Sequence, residues 1–210
     1  AAIDDSVFVV LDNGNTNALA TSGGGNIITK KEKNQIKWNV GDVSTGIYTI
    51  PFTTPITTTN TSKTKIPASV EITSAGTGSG NIKFSSYTDY DGTDNYKVSD
   101  YKPSDVTSFL NSSSADNSAN VVNRFWIIDA NGYTDKPDVT LEFTYDDNEV
   151  TADGNTVSEA DLFPQRWNST NYQWSDVTLS GDLDITVNTL SNVSVSKANF
   201  FRSWALVSSV

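Results

Sequence analysis

Apolar and polar residues alternate along 139–145, where Val139, Leu141, Phe143 and Tyr145 are separated by Thr140, Glu142 and Thr144. A period of two is the pattern of a strand with one face buried and the other in water. Residues 121–129 (VVNRFWIID) form a more continuous apolar run, rich in aromatic and β-branched side chains. Such a run suits a central strand. Asn131-Gly132 and Lys136-Pro137 punctuate the stretch between the two. The pattern over 120–150 therefore predicts a hairpin with a loop of several residues, and 146–148 end its second strand.

The rest of the chain reads as shorter strands between turns. Val7, Phe8, Val9, Val10 and Leu11 make a fully apolar strand. Gly23, Gly24 and Gly25 lie in a loop, but strand-like Ile27-Ile28-Thr29 follows rather than the helix start that phosphate binding needs. Residues 30–37, with four lysines around Glu32 and Gln35, read as a solvated edge strand or turn. IYTIPF at 47–52 alternates, and Pro51 has no N–H to donate, so this strand belongs at an edge. Residues 70–73 and 82–87 flank AGTGSGN, a second hairpin signal. Residues 101–110 suit one helical turn with Ser104 as its N-cap. Residues 163–167 and 172–174 form a tight pair around NSTN, 183–187 alternate after a turn, and 200–207 (FFRSWALV) form the closing strand.

Roughly 10 to 12 strands without a helix-length crossover predict an all-β fold, an antiparallel β-sandwich of jelly-roll or Ig-like type with very little helix. Residues 1–210 read as a single unit, with a boundary in polar 111–120 if the chain forms two small β domains.

Composition narrows the chemistry. The chain has no Cys, no His and no Met. Disulfides, thiolate metal sites, cysteine nucleophiles and imidazole bases are excluded together. The net charge of −11 repels phosphate backbones, which argues against nucleic acid. No apolar run is long enough for a membrane-spanning helix, so no membrane insertion is expected. The opening Ala1-Ala2 reads as a mature chain whose signal peptide has been removed.

Four strings spread over nearly the whole chain carry a resemblance. They are ITKKEKNQIKWNVG with GIYTIPF (28–52), NRFWIIDANGYTDKPDVTLEFTY (123–145), QRWN with Trp174 (165–174), and ANFFRSWALV (198–207). Together they resemble a recurrent β-sandwich unit of large secreted proteins from Bacteroidota, substrates of type IX secretion. The resemblance implies an extracellular or cell-surface location. It brings no catalytic residues with it. Asp5-Ser6-Val7 also matches the short O-glycosylation pattern of that phylum.

Candidate sites are few. Asp89, Asp91 and Asp94 surround a glycine in DYDGTD, and hard oxygen ligands at that spacing suit Ca²⁺. A plain acidic turn gives the same string, and the closing Glu of an EF-hand is missing. Asp146, Asp147 and Glu149 form a second acidic cluster. Glu71 and Glu142, each mid-strand, are the carboxylate pair a glycosidase would need. A mid-strand Glu on a wet face more simply serves solubility. Arg124, Arg166 and Arg202 all adjoin aromatics, which fits guanidinium stacking within a tryptophan-rich core.

The sequence therefore points to a non-catalytic extracellular structural protein without a required cofactor. The leading expectation is a surface filament or adhesin-stalk subunit that polymerises with itself, the strand Val7–Leu11 or the closing strand pairing between chains. The alternatives are a carbohydrate-binding module and a β-jelly-roll glycosidase.

Overall fold

The computed structural model describes residues 7–20, 26–42, 45–54, 63–88, 101–110, 114–152, 154–174 and 180–208. The DYDGTD acids Asp89, Asp91 and Asp94, and Asp5-Ser6 of the glycosylation string, lie outside them. Twelve strands lie among the described residues. In chain order they are β1 (Val7–Leu11), β2 (Asn34–Trp38), β3 (Gly46–Ile50), β4 (Ala68–Ser74), β5 (Asn81–Tyr87) and β6 (Phe125–Asn131). There follow β7 (Asp138–Thr144), β8 (Leu162–Asn168), β9 (Gln173–Trp174), β10 (Asp182–Asp184), β11 (Thr189–Val195) and β12 (Ser203–Ser208).

A seven-stranded sheet has the order β1-β2-β5-β6-β12-β8-β9, and a five-stranded sheet the order β10-β11-β7-β4-β3. β1 runs parallel to β2; the other strand pairs are antiparallel. The predicted all-β sandwich is what forms. Strands from before and after residues 111–120 share both sheets, so that stretch does not separate two β units.

The two predicted hairpins are not hairpins. β6 pairs with β5 and β12 in one sheet, while β7 pairs with β4 and β11 in the other. The chain likewise changes sheets between β4 and β5. Turn residues reverse the chain equally well within a sheet and between sheets, so Asn131-Gly132 marked the reversal without its plane. The two crossing loops pair with each other. Thr77 N–H donates to Asp135 O at 2.8 Å, and Thr134 N–H donates to Thr77 O at 2.8 Å. Glycines permit this approach: a Cβ on Gly76 would lie 2.6 Å from Asp135 O, and one on Gly80 would lie 2.1 Å from the Tyr133 ring.

Between the sheets, Trp38, Phe84, Trp126, Ile128, Trp204 and Leu206 meet Tyr48, Val70, Leu141, Phe143 and Val193. Phe143 on β7 reaches both Trp126 (ring centroids 5.3 Å apart) and Trp204 (5.9 Å), which sit side by side on β6 and β12. The period-two pattern of 139–145 thus does what it predicts, facing its apolar side to the core.

The outer face of the seven-stranded sheet is also apolar at its centre, where Tyr87, Phe125, Ile127, Trp167, Ala205 and Val207 cluster. Residues 101–110 cross this face as a strap and add Val106 and Phe109. Phe109 stacks on Trp174, whose Nε1–H donates to Ser108 O at 2.8 Å. The strap contains a turn but no helix, so Ser104 is not an N-cap. Its N–H and hydroxyl instead donate to the Glu32 carboxylate at 2.7 and 2.9 Å. Glu32 also pairs with Arg202, and Asp105 accepts a hydrogen bond from Ser203 Oγ at 2.8 Å. Burial pushes the Asp105 carboxyl up, and the Ser203 bond pulls it back. Burial on both faces explains why 121–129 reads as a continuous apolar run.

Trp126 is fully buried and makes an edge-on ring contact with Phe143. Trp126→Ala is expected to destabilise the fold by about 3–5 kcal/mol in urea denaturation. A change under about 0.5 kcal/mol would place this ring outside the cooperative core.

Candidate functional site

Sheet edges are where an all-β protein meets other chains. This sandwich has four. β10 is three residues long and carries Asp182 and Asp184. β9 has two residues, and the adjoining β8 contains Pro164. β3 runs into Pro51. Short length, charge and proline all discourage added strands. β1 has none of these, being VFVVL.

β1 holds to the molecule by its parallel ladder with β2, from Val7 opposite Asn34 to Leu11 opposite Trp38. Successive side chains alternate faces, yet Val9 and Val10 are each 51% exposed. Apolar surface is therefore bare on both faces of this strand. Leu11 packs against the core. The chain is pinned just beyond. Asn39 N–H donates to Leu11 O at 2.9 Å, Trp38 Nε1–H to Asn13 O at 2.8 Å, and Tyr48 OH to Gly14 O at 3.0 Å. The strand is thus a five-residue parallel ladder followed by these three hydrogen bonds. The closing strand differs: β12 lies between β6 and β8, and all six of its residues are buried. Of the two strands expected to pair between chains, only β1 stands at an edge.

Where β1, β2 and β5 end together, a cleft of about 420 Å³ opens. Asp12, Lys37, Asn39, Ser79 and Asn81 line it, with Gly14, Gly41 and Gly80. Lys37 on β2, Asn81 on β5 and residues just beyond the ends of β1, β2 and β5 contribute these side chains, and no local motif in the sequence announces them.

Glu71 and Glu142 come to the same outward face of the five-stranded sheet. Glu71 is opposite Thr140 and Glu142 opposite Ser69, a diagonal relation that spaces such positions by roughly 7–8 Å. Glu71 is exposed and Glu142 half-buried among Ser and Thr neighbours.

The second acidic cluster is engaged in structure. Asp146 caps the one-turn helix α1 (Asp147–Val150), accepting from Asn148 N–H at 2.9 Å. Glu149 closes the capping box on Asp146 N–H at 3.2 Å. The Asp-x-x-Glu spacing was a legible signal for this turn. Asp147 accepts from Asn188 Nδ2 at 2.6 Å. Among the described residues, no group of three His, Cys, Asp or Glu side chains is placed to hold a metal.

Glu149 also forms a two-point ion pair with Arg124, whose Nη1 donates to Ser86 Oγ at 3.0 Å. Both charged side chains are almost fully enclosed, at 1% and 2% exposure. Burial pushes the Glu149 carboxyl up, and Arg124 opposes that shift. Arg124 thus turns to a carboxylate rather than to Trp126. Arg166 lies over Phe201, 4.4 Å from the ring centroid, and Arg202 pairs with Glu32 and Asp105. The expected stacking on tryptophan is replaced in these three places by ion pairs and a phenylalanine. Trp38, Trp126, Trp167 and Trp204 are all fully buried, so they pack rather than form a sugar platform.

Comparison with protein-family models, with curated proteins and with solved structures finds no match to this chain.

The Arg124–Glu149 pair generates a stability prediction. Glu149→Ala strands a buried guanidinium and is expected to cost about 3–5 kcal/mol. Exposed Asp147→Ala is expected to cost under about 1 kcal/mol. Paired urea denaturation curves check both, and equal losses would contradict the assignment.

Proposed function

We propose that this chain is a non-catalytic structural subunit that assembles with copies of itself outside the cell, and that β1 is its connector. The observation that carries the proposal is an uncharged, apolar strand at a sheet edge, with Val9 and Val10 half-exposed on its two faces, beside an acidic three-residue edge (β10), a two-residue edge (β9) and an edge that runs into proline (β3). The extracellular placement rests on the sequence resemblance to secreted Bacteroidota units.

In this reading β1 of one copy leaves its own sheet and seats on β2 of the next. The same parallel ladder supplies main-chain hydrogen bonds, and Leu11 refills its place against the core. Because the donor strand and the acceptor edge are different surfaces, the contact is head-to-tail and propagates into a fibre. The net charge of −11 keeps copies apart except where a strand fits a groove.

The test removes residues 1–11. The anchor at Asn13 and Gly14 remains, so the shortened chain is expected to stay folded, with a melting temperature within roughly 10 °C of the full chain. It is also expected to form no filaments by negative-stain microscopy under conditions where the full chain does. Unfolding of the shortened chain would make β1 an integral strand of its own sandwich, and normal filaments would place the connector elsewhere.

A further inference from the structure

We infer that the cleft at the common end of β1, β2 and β5 binds a neutral, polyhydroxylated ligand, the chemistry of a glycan. Its volume of about 420 Å³ falls in the range of small-ligand sites. Its lining is polar and mixed in kind. The Asp12 carboxylate only accepts, the Lys37 ammonium only donates, and Ser79, Asn39 and Asn81 do both. A sugar hydroxyl is itself donor and acceptor, so a ring carrying several of them matches such a lining at successive positions.

Charge selects against the alternatives. Asp12 and Lys37 cancel within the cleft. An anion would meet Asp12 on a surface of net charge −11. A cation would meet Lys37, which stands directly opposite Lys83 across the β2–β5 pair. A neutral ligand incurs neither repulsion.

The walls are preorganised. Asn39 Nδ2 donates to Asp12 Oδ1 at 3.0 Å, Gly41 N–H donates to Gly80 O at 2.9 Å, and the turn after Asp12 is held by Trp38 and Tyr48. Polar groups held on strand ends bind without having to be ordered first. This inference does not depend on self-assembly.

Saturation-transfer NMR with glucose, galactose, mannose and N-acetylglucosamine, followed by titration, tests it on the full chain. At least one of the four is expected to give a saturable signal. Asp12→Ala and Lys37→Ala are each expected to weaken it about tenfold or more, with unchanged melting temperature. Asp42→Ala, outside the lining, is expected to leave it unaltered. No saturable signal from any of the four sugars overturns the inference. So does a signal that both cleft variants leave at full strength.

Discussion

Phe143 sits against both Trp126 and Trp204, and this contact sets the geometry of the sandwich. It joins the middle strand of one sheet to two neighbouring strands of the other. Large aromatic rings bury the most area per residue and prefer tilted or edge contacts, so they constrain the distance and angle between sheets. The chain must cross that gap repeatedly, and its β4–β5 and β6–β7 crossings lie side by side. The crossing loops hydrogen-bond to one another and interlock through glycines. A Cβ on Gly80 would collide with Tyr133, so the crossing and the core are coupled by sterics.

Buried polar groups complete the apolar contact. Arg124 and Glu149 are enclosed, but their hydrogen bonds run to each other, to Ser86 and to the Asp146 N–H. Ser86 in turn exchanges backbone bonds with the Thr29 hydroxyl, 2.9 Å as donor and 2.6 Å as acceptor. A buried charge tolerates its surroundings only when it is satisfied in this way. On the outer face, Glu32, Asp105 and Arg202 tie down the strap that covers Phe125 and Ile127. The central strands are thereby buried on both sides.

The two functional proposals meet at one residue. Asp12 follows β1 directly and lines the cleft, while Asn13 and Gly14 are held by Trp38 and Tyr48. The β1 ladder and the hydrogen bonds that hold Asn13 and Gly14 are separated by a single position.

The sequence by itself determined the class of fold and the identity of the core. Alternation at 139–145, the apolar run at 121–129, scarce helix formers and abundant turn residues all follow from local periodicity and backbone preference, which act over a few residues. Pro51 at the β3 edge was legible for the same reason. Which strands pair was not legible. A reversal at Asn131-Gly132 or in AGTGSGN serves a hairpin and a crossing between sheets equally, and only the competition among β4, β5, β11 and β12 for neighbours decides. The parallel seat of β1, the Arg124–Glu149 pair and the cleft from Asp12 to Asn81 joined positions far apart in the chain. Tertiary structure decided these, because a hydrogen bond or ion pair depends on distance in space, and separation along the chain does not reveal it.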